Sequence, residues 1–298
     1  MWGRGSPVCP LVRAGQILGD RYRVERVLAE GRESVLVAAH HIQRDEKVTL
    51  SLWAPEFIGN DAAAEQRFLI NGRGPFMKLK SEHAARVTDV GRLADGTPYM
   101  EMEALDGEDL EVWLKGRGIL PIEQAVEFVL QACVAVAEAH ALGIVHRDLK
   151  PDNLLCTQRR DGQPSIKVIC AVMCAVRTAI GTPLYMSPEQ FESSARVDAR
   201  TDIWALGVIL FELMTGRPPF QADSVTEAAF RIATEPAPGV RTLRPEVPVG
   251  LEAVILKCLE KEREKRYRTV EELALALLPF APERAKASVE EITSVIGR

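Results

Sequence analysis

The chain has 298 residues, 47% of them apolar and 27% charged, the balance of a soluble globular protein with room for one large domain or two lobes. Its net charge of −5 argues against bulk nucleic-acid binding, which favours a basic face. The longest uninterrupted apolar runs, such as 168–176, are about nine residues, against the roughly 20 that a membrane helix needs.

Residues 1–19, opening "MWGRGSPVCPLVRAG", carry two prolines and no apolar stretch of the signal-peptide kind, and read as a flexible leader. "RYRVERVLAE" and "SVLVAAHHI" predict a strand hairpin, "EKVTLSLW" a third strand, and "PYMEMEAL" a further strand entered through the turn "DGTP". Between them, "DAAAEQRFLI" begins as a helix and then meets "NGRGP". Two glycines at about 1 kcal/mol each and a proline at about 3 predict that this helix ends or kinks near Asn71.

From about residue 105 the pattern turns helical. Pro121 suits the first turn of a helix whose apolar residues (Ile122, Val126, Val129, Cys133, Val136) recur at spacings of three and four. "DIWALGVILFELMTG" is apolar almost all round and stops at Gly216, which predicts a buried helix. "TVEE" at 269–272 has the form of a capping box opening "ELALALL". Strands first and helices second predict an α+β fold of two unequal lobes, 20–103 and 104–282, followed by a short exposed tail, 283–298. The six cysteines form no CxxC pair and read as reduced, mostly buried thiols of a cytoplasmic protein.

"HRDLKPDN", 146–153, has the spacing of a kinase catalytic loop: a carboxylate to accept a hydroxyl proton, a lysine two residues on for the phosphate, an amide five residues on for a metal. On this string, on "GTPLYMSPEQ" (181–190), "DIWALGVILFELMTGRPPF" and "KRYRTVEEL", the chain resembles the protein kinase family, in particular the bacterial serine/threonine kinases, over roughly residues 20–280. The resemblance implies a bilobal kinase fold and a site that uses ATP and magnesium. In it Asp148 and Lys150 are catalytic, Asn153 also a metal ligand, and Thr182 and Lys150 mark the serine/threonine type. Met102 becomes the gatekeeper, Glu103–Leu105 the backbone that meets adenine, and Gly31 the remaining glycine of the phosphate loop. It also implies that His146 packs in the core, that Asp202 holds the catalytic-loop backbone, and that Glu189 pairs with Arg266.

The same alignment shows four departures. The phosphate loop reads Ala29-Glu30-Gly31-Arg32-Glu33-Ser34, keeping one glycine of three. The strand that should end in lysine reads Val48-Thr49-Leu50-Ser51, with Lys47 four residues away, about 13 Å at the usual strand rise. The helix glutamate aligns with Asn71, and Asp-Phe-Gly aligns with Cys170-Ala171-Val172, a thiol where magnesium wants oxygen. These changes predict a pseudokinase: a kinase-like protein that signals by binding a protein partner, an active kinase or its substrate, with no nucleic acid or membrane involved. The alternatives are an active or weakly active serine/threonine kinase with an atypical nucleotide site, and nucleotidyl transfer on the same fold.

Overall fold

In the computed structural model the described residues are 12–30, 34–53, 74, 76–159, 161–169, 183–192 and 197–297. They form two compact units, one made of residues up to 80 with 85–106, the other of 81–84 and residues from 107 onward. The boundary between them falls after Asp106.

Period-two alternation builds the first unit. In β3 (Ser34–His41) every second residue is buried, because successive side chains point to opposite faces of a strand. It pairs antiparallel with β2 (Tyr22–Glu30) and with β4 (Glu46–Trp53), as the hairpin and third-strand signals predict. With β1 (Ile17–Leu18), β5 (Val87–Arg92) and β6 (Pro98–Glu103) these make a six-stranded sheet of order β1-β2-β3-β4-β6-β5. Two corrections arise here. The predicted leader does not run to residue 19: Ile17 and Leu18 pair with Arg23 and Tyr22, and Leu18 joins the sheet's core. A two-residue strand carries no periodicity, so only its pairing reveals it. β5 also escapes the sequence reading, because "VTDVGR" mixes a charge and a glycine into a strand whose place is set by β6.

β6 is buried at five successive positions, including Glu101, whose side chain is fully enclosed. Its carboxylate accepts from Tyr22 Oη at 2.8 Å, and from Arg44 and Thr88. Burial alone would raise its pKa, but these donors outweigh burial and hold it below the ordinary 4.5. β6 thus carries a charge that three partners on β2, β5 and the β3–β4 turn satisfy.

The second unit is helical. α1 (Leu110–Arg117) is capped by Asp109, whose carboxylate accepts from Val112 N–H at 2.8 Å. α2 (Ile122–Ala141) is buried on nearly every face and carries Pro121 at its N-cap, one position earlier than the sequence places it. A small sheet of β7 (Glu108–Asp109), β8 (Leu154–Gln158) and β9 (Pro164–Val168) lies in this unit. After α3 (Pro188–Glu192) comes α4 (Arg200–Thr215), the predicted buried helix, closed by Gly216 in the left-handed conformation at φ 77°. Next come α5 (Val225–Thr234), α6 (Val249–Cys258) and α7 (Val270–Leu277). Half of the predicted capping box forms: Thr269 Oγ1 accepts from Glu272 N–H, while the Glu272 carboxylate accepts at 2.8 Å from the N–H of Arg268, the residue before the cap.

Gly207 lets α4 approach α6. A Cβ there would lie 2.5 Å from Cys258 Cβ. Gly207→Ala is therefore expected to cost about 1–3 kcal/mol through overpacking, read as a lower urea midpoint with an unchanged slope.

The predicted tail is a helix that is exposed over most of its surface but docked along one face. α8 (Lys286–Ile296) buries Ser288, Val289 and Ile292 and packs on α2, and Arg284 forks onto Glu127 at 2.6 Å through both nitrogens. Its apolar face is narrow, and the surface that covers it comes from more than 140 residues earlier in the chain. Among the described residues no helix is long and apolar enough to cross a membrane. The predicted helix 61–70 and its break at Asn71 lie outside the described residues.

Candidate functional site

The first unit places Met102 and Glu103, two of the residues expected to meet a nucleotide base, at the end of β6, and Leu105 just beyond it. Thr49 stands opposite Met102, and Ser51 opposite Met100 on one side and Leu36 on the other. Met102 is fully buried, Leu105 is buried and Glu103 is half-buried. Glu103 N–H donates to Arg86 O at 2.9 Å, and its carboxylate accepts from Arg86 N–H at 3.1 Å. Leu105 N–H donates to Thr49 Oγ1 at 3.0 Å, a contact that sequence reasoning missed. Lys47 pairs with His40, four residues nearer the start of the strand than Ser51.

The second unit assembles the segment around residues 146–153. Asp202, on the first turn of α4 and fully buried, accepts from Arg147 N–H at 2.8 Å through Oδ1. Its Oδ2 accepts from His146 N–H at 2.8 Å and from His140 Nε2 at 2.7 Å. Burial opposes a charge on Asp202, yet the imidazole and the backbone donors hold its pKa below the ordinary value. Arg147 takes a positive φ of 65°, which costs a non-glycine residue energy and needs such anchors. His146 is buried: its Nδ1 accepts from Asp148 N–H at 3.3 Å, and its Nε2 lies 3.1 Å from Ile169 O.

Asp148, Lys150 and Asn153 are brought together. Asn153 Nδ2 donates to Asp148 O at 2.7 Å and to Asp148 Oδ2 at 3.0 Å. Lys150 Nζ is 3.5 Å from Asp148 Oδ2 and 3.4 Å from Asp152 Oδ2. Burial works against the lysine's charge, but the two carboxylates outweigh it and raise its pKa above 10.5. The cluster therefore offers a half-exposed carboxylate oriented by an amide, beside a fixed cation. This is suited to receiving a hydroxyl proton and steadying an anion. Among the described residues no group of three His, Cys, Asp or Glu side chains is placed to hold a metal ion. Gly31, Thr182, Asn71 and Cys170 lie outside the described residues.

A description of the protein kinase domain matches residues 22–276. The chain belongs to the protein kinase family. Among the relatives of this kinase-family chain is serine/threonine-protein kinase PknH of Mycobacterium bovis, 33% identical over 269 residues that cover 89% of this chain and 44% of that protein. Serine/threonine-protein kinase pkn3 of Myxococcus xanthus is 30% identical over 287 residues, 91% of this chain and 52% of its own. The solved PknI kinase domain of Mycobacterium tuberculosis superposes with a TM-score of 0.73 at 24% identity, over 91% of this chain and all of that one, and so shares the fold. The chain spans about half the length of the curated relatives it matches.

Two ties in the kinase C-lobe were not read from the sequence. His140, on α2, completes the Asp202 cluster, and Gln190 Nε2 donates to Arg147 O at 2.8 Å. His140 has no local signal, since only the fold brings it to Asp202. Gln190 follows the recognisable "SPE" string, and its position there was the available hint.

Proposed function

We propose that this kinase-family chain is a catalytically impaired pseudokinase that signals in the cytoplasm by binding a protein partner, an active kinase or a kinase substrate. The observation that carries the reading is Ser51. At the level of sequence it stands in the place of the lysine that grips the nucleotide's phosphates, and Lys47, four residues earlier on the same strand, is about 13 Å away. Serine is short and neutral, so the charge that would meet the α- and β-phosphates is missing. Asn71 in place of the pairing glutamate and Cys170 in place of the magnesium-binding aspartate agree with it at the level of sequence. The retained Asp202, His146 and Glu189–Arg266 contacts hold the C-lobe together and would persist in a protein selected for its shape.

The arrangement of Asp148, Lys150 and Asn153 favours a second reading, a weakly active serine/threonine kinase with an atypical nucleotide site. One experiment separates the two: ATP binding with and without magnesium, and transfer of labelled γ-phosphate, for wild type and Ser51→Lys/Cys170→Asp. The pseudokinase reading expects no transfer by wild type and a gain of magnesium-dependent binding in the double variant. Transfer by wild type that disappears in Asp148→Ala would overturn it.

A further inference from the structure

We infer that the Thr49 hydroxyl is a built-in cap on the backbone donor of Leu105, making Thr49 a specificity-determining residue that turns adenine away from the N-lobe. The inference deepens the pseudokinase reading and rests on it. Glu103–Leu105 is the backbone that the family resemblance assigns to a planar base, and within it Leu105 N–H already donates to Thr49 Oγ1 at 3.0 Å. The two residues are 56 apart in sequence, so the bond is tertiary and not a local turn. Thr49 is fully buried and faces Met102 across the β4–β6 ladder, and a β-branched side chain in a strand has few rotamers into which to withdraw. The neighbouring donor, Glu103 N–H, is given to Arg86 O, so both of these amides have partners within the same unit.

A base that claims Leu105 N–H exchanges one acceptor for another at that donor and gains little. It also pushes the threonine hydroxyl from its buried donor, leaving a polar group to find a partner in an apolar setting. Alanine at this position removes both the competing acceptor and the branch. Serine keeps the acceptor and removes only the methyl group.

The test uses adenosine without magnesium, so that neither phosphate nor metal contributes, titrated into wild type, Thr49→Ala and Thr49→Ser of the whole chain. Thr49→Ala is expected to bind adenosine at least about tenfold more tightly than wild type, with Thr49→Ser within about twofold of wild type. Amide exchange at Leu105 should quicken in Thr49→Ala and not in Thr49→Ser. Equal affinities for wild type and Thr49→Ala, an equal gain in Thr49→Ser, or unchanged exchange at Leu105 would overturn the inference. The pseudokinase reading stands or falls separately, on Asp148-dependent phosphate transfer by wild type, which adenosine cannot report.

Discussion

Arg266→Ala is expected to destabilise the C-lobe by about 3–5 kcal/mol, because it leaves the buried Glu189 carboxylate without its counter-charge. Arg266 is enclosed on all sides, and its guanidinium meets both Glu189 oxygens at 2.8 Å. Its remaining donors go to the carbonyls of Glu260, Arg200 and Lys261, so one side chain ties α3 to the first residue of α4 and to the loop between α6 and α7. Thr201 Oγ1 adds a third donor to Glu189 at 2.8 Å. Glu189→Ala should cost a similar amount by stranding the arginine. The double variant Glu189→Leu/Arg266→Met should lose less than the sum of the two, since neither charge is then left unpaired. Urea unfolding monitored by circular dichroism gives each value. A double variant as unstable as the two singles added together would count against this account.

Asp202→Ala is expected to cost about 3 kcal/mol or more, since it strips an acceptor from two backbone amides and an imidazole at once, each worth roughly 1–3 kcal/mol when buried unpaired. The loss should be felt beyond stability. Arg147 holds its positive φ against the anchors on its own N–H and carbonyl, from Asp202 and Gln190. Without Asp202, amide exchange across 147–153 should accelerate well ahead of the rest of the unit. Asp202→Asn should behave closer to alanine than to wild type, because its amide nitrogen turns a donor toward donors. The pH dependence has a definite sign. Glu189 and Asp202 both have folded pKa values held below their ordinary 4.5 and 3.8. Their contribution is complete above those ordinary values and is lost as the pH falls through the lower folded ones. Acid titration of the urea midpoint should therefore fall steeply below about pH 4 in wild type, and less steeply in Asp202→Ala.

Some of this was legible because it is written locally. The strands β2, β3 and β4 announce themselves by period-two alternation, α4 by an apolar run closed by Gly216, and the start of α7 by Thr269 and Glu272. Each depends on residues within one or two turns of one another. The string 146–153 is also local, which is why Asp148, Lys150 and Asn153 could be grouped before any coordinate was known. The opposite holds for α8, which sequence alone makes an exposed tail and which α2 covers. It holds too for β1, whose two residues carry no pattern.

The sequence by itself determined the family, through motifs whose residue types are dictated by chemistry at fixed spacing. Tertiary structure alone decided how those residues are engaged. It brought His140 and Gln190 to the catalytic loop, enclosed Glu101 among Tyr22, Arg44 and Thr88, and turned Thr49 from an odd residue in a strand into the partner of Leu105. The physical reason is range. Backbone propensity and capping act over a few residues, whereas a buried donor or charge must be satisfied by whatever the fold places within about 3 Å, however distant in the chain.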